Sequence, residues 1–447
     1  MRTFFLLLIL LLAVTPGFTE NQDEKIKQLE KRIEELEQKL AVGSKDSSSV
    51  ELEEIRRQLQ ILAEEIEKLR SGEPDAEVTE SKRKSLGLGE SASAVYTKKQ
   101  GPSIAGYGEM LYENFNSTTD AGGPSGRPDQ IDYLRAVVYL GYRFSDRFLF
   151  NSEIEFEHAN TDDGEVAVEF AHIDFALNDS TTLRGGLVLL PMGFVNEFHE
   201  PTAFLGTHRP LAETQIIPST WRENGFGIAG QKGIVDYRAY VVAGLNAAGF
   251  LPSNLRSGRQ GGSRSKLGDP AFVGRVDVHP VPGVTVGGSF YGGNSIVFGT
   301  SVPTDLEVPT IIGEVHGEYK RKGFQLRALY TQASLDNVAE LNAVIGATGK
   351  SSIGEKLTGG YVEAGYNLLA GKNSQSLTPY VRFDAVNSQA EVPAGFTSDP
   401  TRDHSLWTFG LDYKPISNIV IKADYIAADN EGGTGVDQFS ILLGYNF

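Results

Sequence analysis

The sequence predicts an all-β fold, a transmembrane antiparallel β-barrel of about 16 strands, preceded by an α-helical coiled-coil segment. Three observations lead there. From Ser103 to Phe447 the apolar residues alternate with polar ones at a period of two. The connections between these segments alternate between short and long. The composition, with 50 glycines and 41 Tyr and Phe together in 447 residues, suits twisted sheets with tight turns. No stretch after the leader holds the roughly 18 apolar residues of a membrane helix, so a membrane-resident chain of this kind must close a barrel.

Residues 1–19 come first and read as a secretory signal peptide, with Arg2 ahead of an apolar run from Phe4 to Val14 too short to span a bilayer. Residues 20–70 follow as a periplasmic coiled coil. Ile26, Leu29, Ile33, Leu36 and Leu40 are spaced three and four apart, and Leu52, Ile55, Leu59, Leu62, Ile66 and Leu69 repeat the pattern. GSKDSSS interrupts the phase, which leaves a self-packed helical hairpin as the alternative. Residues 71–100 have no sustained period and read as a polar linker, with the barrel occupying 101–447.

The strand segments fall near 103–115, 131–145, 147–158, 165–178, 181–191, 224–231, 233–246, 270–279, 284–293, 309–320, 324–335, 358–369, 377–387, 405–414, 419–428 and 437–447. In 131–143, Leu134, Ala136, Val138, Leu140 and Tyr142 share one face, while Tyr133, Arg135 and Arg143 share the other. The last segment sets Phe439, Ile441, Leu443, Tyr445 and Phe447 opposite Ser440, Gly444 and Asn446, with Leu442 as the exception. A Lys or Arg turned to lipid at mid-depth costs about 2–4 kcal/mol, so each charge-bearing face is expected to look into a wetted lumen. The last strand is expected to pair with the first.

On these residues the chain resembles an outer-membrane porin, most closely the phosphate-selective porin O and P family. The resemblance covers most of 101–447 and rests on YLRAVVYLGYRFSDRFLFNSEIEFE, LRGGLVLLPMGFVNEFHEP and RPLAETQIIPSTWRENGFGIAG. It implies a sixteen-stranded barrel in the bacterial outer membrane, contact with outer-membrane lipid, a homotrimer, and passive diffusion of small hydrophilic solutes or ions. The terminal Phe447 resembles the signal read by the barrel-assembly machinery. The coiled coil could also touch the cell wall, which makes a barrel-anchored tether one alternative.

The long segment 192–223 is the expected constriction, because a loop of that length needs a reason. Its charged residues are Glu197, His199, Glu200, His208, Arg209, Glu213, Arg222 and Glu223, with Trp221 among them. The expected lumen wall carries Arg135, Arg143, Arg184, Arg238, Arg275, Arg327 and Arg382, facing Glu153, Glu155, Asp384 and further acids. Asp236/Arg238, Arg275/Asp277 and Arg382/Asp384 are spaced to neutralise each other. After residue 100 there are 39 acidic against 25 basic residues, which favours cations or neutral solutes over the alternative of an anion- or phosphate-selective pore. The net charge of −17 leaves no electrostatic basis for nucleic-acid binding. The absence of cysteine removes disulfides, thiolate metal sites and thiol nucleophiles. His172 and His316 sit near acids, which makes a metal site conceivable, but one histidine with carboxylates at strand spacing is weak support for it; a solvated or hydrogen-bonded wall histidine is the expectation, and no cofactor is expected. No G-x-S-x-G occurs in the barrel and no H-E-x-x-H anywhere, so no enzymatic activity is expected.

Overall fold

The computed structural model describes residues 20–42, 55–63, 85–160, 162, 164–301, 305–371 and 375–447. The signal-peptide reading, and the linker reading as far as residue 84, lie outside the described residues. Helix α1 (Glu20–Val42) and helix α2 (55–63) coincide with the two heptad runs. In α1, Leu29 and Ile33 are half-buried and Leu36 is buried, while Glu30, Lys31, Arg32 and Glu34 are exposed.

The barrel strands are β1 (Gly101–Phe115), β2 (Gln130–Arg143), β3 (Phe148–Glu157), β4 (Val166–Asn178), β5 (Thr181–Leu189), β6 (Arg222–Lys232), β7 (Val235–Ala243), β8 (Pro270–Val278), β9 (Val284–Ile296), β10 (Glu307–Arg321), β11 (Phe324–Leu335), β12 (Lys356–Tyr366), β13 (Ser376–Glu391), β14 (Asp403–Ile416), β15 (Ile419–Asn430) and β16 (Gln438–Asn446). They form one closed antiparallel barrel in sequence order, sealed by β1 against β16. Phe447 extends that seam, exchanging backbone hydrogen bonds of 2.9 Å with Gly106.

The alternation places the faces as polarity requires. In β10, Val308, Thr310, Ile312, Glu314, His316 and Glu318 are buried inward, and Ile311, Val315 and Tyr319 are exposed outward. Seven short connections share one end with Gly101 and Phe447, and eight loops share the other. One of the two-residue turns has Lys322 (φ 53°) and Gly323 (φ 80°) joining β10 to β11; two successive left-handed residues match the twist of a hairpin. Tyr142, Phe144, Phe148, Tyr319, Phe324 and Tyr366 lie exposed near this turn end as an aromatic girdle.

Two details differ from the sequence reading. A bulge opposite Glu109 and Leu111 reverses parity within β2. Tyr133 therefore points outward, its hydroxyl 2.7 Å from that of Tyr445, while Leu134 turns inward against Leu111, Val420 and Leu442. This small inner cluster also accounts for the exceptional Leu442.

The larger difference concerns the lumen, which is mostly filled rather than wetted. The third loop, 190–221, folds inside the barrel and carries the short helix α3 (Ala212–Gln215). Its Met192, Val195, Ile216, Ile217 and Trp221 pack against inward residues of the wall, among them Val242, Val273, Tyr291, Ile312, Leu329 and Leu357. Helix α4 (Val338–Ile345), from the sixth loop, adds Val338 and Leu341 to the same core. On this side of the barrel both wall faces are largely apolar, one on the barrel's outer surface and one toward the loop. Each large side chain so buried contributes about 1.5–3 kcal/mol.

Candidate functional site

The third loop is held by polar groups chosen for its backbone. Asn196 stitches its two ends together, donating to Leu190 O (2.8 Å) and Trp221 O (3.0 Å) and accepting from Trp221 N (2.6 Å). Glu213 accepts from Val195 N (2.7 Å) and from the Tyr361 hydroxyl (2.6 Å). Across the lumen, Lys422 donates to Phe204 O (2.7 Å) and Gly206 O (2.8 Å) and sits 4.0 Å from the Phe204 ring centroid. Thr207 donates twice to Asp424, and Leu211 N donates to Asp384 (2.9 Å). The stretch 202–211 is thereby pinned to β13–β15.

A second segment occupies the turn-side half. Residues 85–97, within the stretch read from sequence as linker, lie inside the barrel. Leu86, Leu88, Ala92 and Val95 are buried, the first three within an apolar cluster that includes Tyr107, Tyr139 and Phe170. Ser91 N and Ala92 N donate to Glu200 (2.9 and 3.2 Å), Arg184 donates to Leu86 O (2.8 Å), Asn151 to Ala92 O (2.7 Å), and Tyr96 to Asp174 (2.5 Å). Gly87 and Gly89 approach so closely that a Cβ on either would overlap the carboxylate of Glu197 or Glu200. Residues 85–97 act as a plug tied to the wall and to the third loop together.

Most wall arginines are neutralised in place. Arg135 pairs with Glu109 (2.7 Å) and Glu155 (3.0 Å), Arg184 with Asp174 (2.8 Å), and Arg275 with Asp277 (2.7 Å). Arg327 pairs with Glu318 (2.6 Å), and Arg382 with Asp384 (2.8 Å) and Glu363 (3.5 Å). Arg238 takes Asp277 (2.8 Å) and Glu197 (3.4 Å) rather than its sequence neighbour Asp236, which pairs with His279 (2.9 Å). Arg143 sits at the turn-side rim, donating to Asp146 O (3.1 Å) and Tyr96 O (3.4 Å). His316 is enclosed by Glu314 (2.8 Å), Asp277 (2.7 Å) and the Arg275 guanidinium (3.1 Å), and that cation disqualifies it as a metal ligand. His172 lies 3.7 Å from Asp174 and stacks on Phe170.

The cavities inside the barrel include a loop-side one of about 680 Å³ and turn-side ones of about 110 and 100 Å³. Phe204 lines the loop-side cavity and one turn-side cavity, so the pinned stretch is the partition between them. Of the expected constriction residues, His208 and Arg209 line the outer cavity and Glu200 the inner one. Arg222 instead pairs with Glu169 (2.9 Å), and Glu223 accepts from Gln260 N (2.9 Å), fastening the fourth loop. The outer cavity also holds Arg127 and Arg256. Nearby Arg259 has its pKa pushed down by burial and then by the neighbouring Arg256 and Arg222 guanidinium groups, and Arg256 is lowered by burial and by Arg209. These groups form a cationic patch at the outer mouth. Sequence reasoning missed the plug, Asp412 and Glu169; it put Lys422 and Asp424 on the inward face of β15 but not as anchors of the third loop.

No protein-family model matches the chain. A protein of Aquifex aeolicus (strain VF5), described as uncharacterised, is 33% identical over 376 residues, covering 81% of this chain and 83% of that one. Among solved structures, the outer membrane channel DcaP of Acinetobacter baumannii is 12% identical with a TM-score of 0.52, over 80% of this chain and 100% of its own. OmpF of Salmonella typhi, solved in complex with daunomycin, is 12% identical with a TM-score of 0.52, over 78% and 98%. At such identity these two likenesses concern the barrel fold alone.

Proposed function

The chain belongs to one family with the Aquifex aeolicus protein, and from that premise we propose that it is an outer-membrane porin that passes small hydrophilic solutes and ions by diffusion, restricted by its third loop and by the plug 85–97. One observation carries the reading: a closed sixteen-stranded barrel with an apolar outer belt, charged inner faces and a long loop folded into its lumen. The helical segment before the plug then lies in the periplasm, because residues 85–97 lead into β1 at the turn end. The resemblance in the sequence supports a homotrimer, with an interchain coiled coil formed by α1 and α2, and Phe447 as the assembly signal. No catalytic step is part of this reading.

With the wall arginines neutralised by adjacent acids, ion selectivity is weak. A second reading, an anion-preferring pore, is favoured by the cationic patch of Arg209, Arg256 and Arg259 at the outer mouth. Reversal potentials in planar bilayers under a salt gradient separate the two. Values near zero fit the first, and a strong anion preference that Arg209→Glu abolishes fits the second. A purified, folded barrel that neither conducts nor swells liposomes in small sugars, with or without residues 85–97, would rule out the porin reading.

A further inference from the structure

We propose that Glu153 of β3, Glu169 of β4 and His199 of the third loop bind one divalent transition-metal ion of the zinc class, which staples the loop to the barrel wall. The three side chains are buried, at 0%, 1% and 2% exposure, and their ligand atoms lie within 4.8 Å of one another. His199 Nε2 is 3.1 Å from Glu153 Oε1 and 3.4 Å from Glu169 Oε2. A tetrahedral ion with bonds of about 2.0–2.1 Å sets its ligands roughly 3.3 Å apart, which the two edges at His199 Nε2 already match.

The tautomer fits. His199 Nδ1 is 2.9 Å from Asn196 O, a carbonyl that can only accept, so Nδ1 carries the proton and Nε2 directs its lone pair at the space between the carboxylates, where a cation would sit. Asn196 is itself locked by its bonds to Leu190 and Trp221, which fixes the imidazole in place. The glutamates are also prepared. A register shift between Glu153 and Ile154, opposite Phe170 and Val168, inserts Glu169 as an extra residue in β4, so Glu169 and Phe170 both end up buried inside. Arg222 holds Glu169 Oε1 at 2.9 Å, leaving Oε2 for the site.

A ligand is called for by the atoms that lack partners. Glu153 Oε2 and Glu169 Oε2 are buried and accept no hydrogen bond among the described residues. Arg135 is engaged by Glu109 and Glu155, and Arg222 by Glu169, so no arginine or lysine among the described residues pairs with Glu153. Two carboxylates and one imidazole suit zinc, manganese or iron better than calcium or magnesium, which prefer all-oxygen shells. The competing occupant is a second proton on His199, shared with the two glutamates. The site does not depend on whether the barrel conducts.

The test is metal retention by the folded full-length protein in detergent. Chelator-treated wild type is loaded with zinc at low micromolar concentration, passed through a desalting column and assayed by elemental mass spectrometry. About one zinc per chain is expected. Glu153→Gln and His199→Gln, verified as folded by heat-dependent migration, should retain none. Cobalt replaces zinc as a second readout that needs no variant: the wild type should give the intense visible absorption of a low-coordinate site. Wild type that retains no zinc and stays colourless with cobalt would overturn the proposal, as would equal retention by both folded variants; a proton would then fill the site.

Discussion

At the residue scale, Lys422 carries an unusual burden. Its ammonium is fully buried, satisfied by two carbonyls of the third loop and placed 3.9 Å from Asp412. Lys422→Met keeps the volume but strands Asp412 and frees Phe204 and Gly206. Loss of one partner from a buried charged pair costs about 3–5 kcal/mol, so the urea midpoint of the refolded barrel should fall accordingly. An unchanged midpoint would mean that the loop holds without this cation. Trp221 works through packing instead. It is fully buried, 4.7 Å from the Tyr291 ring, and Trp221→Ala should destabilise by about 3–5 kcal/mol and broaden the conductance as the loop loosens.

At the element scale, the strands were largely legible and their occupants were not. Alternation in β2, β3 and β10 placed charges on one face, and in β16 polar residues, because the bilayer penalises the other. It failed at the bulge in β2, where Leu134 turns inward, and gave no sign of the extra inward residue Glu169 in β4, since a bulge leaves no mark in composition. The third loop announced itself by length and by Pro, Trp and charged residues, but its charges divide: Glu213 and Glu200 hold backbone in place, while His208 and Arg209 line the outer cavity. Glu197 and Glu213 are both buried, so they are poor levers for selectivity. The plug was silent for a physical reason. Its anchors are backbone groups, Ser91 N, Ala92 N, Leu86 O and Ala92 O, met by side chains about 60 to 110 residues away. A segment bound by its main chain can read as linker. Glu200→Ala removes the acceptor of two of those bonds, and the plug should then become accessible to protease from the periplasmic side in reconstituted vesicles. Unaltered resistance would place the hold elsewhere, in the apolar contacts of Leu86 and Leu88.

At the scale of the whole molecule, a barrel large enough for a wide pore is divided into an outer vestibule of about 680 Å³ and small inner chambers. The chain's acidic excess and the arginines of the outer mouth oppose each other, and acids such as Glu109, Glu157 and Asp429 line the same vestibule as Arg209 and Arg256. Arg209→Glu combined with Arg256→Glu should move the reversal potential toward cation preference without changing barrel stability by more than about 1 kcal/mol, because both side chains border the open cavity. No movement would place the path of ions away from this mouth.

The most direct measurement is the single-channel conductance of Gly89→Leu beside wild type. A leucine at 89 overlaps the Glu200 carboxylate that accepts from Ser91 N and Ala92 N, so it is expected to break those two bonds and loosen the plug. If residues 85–97 obstruct the lumen, the substituted channel conducts several-fold more than the small wild-type unit. Identical conductance in two equally folded barrels would show that solutes take a route the plug never blocked.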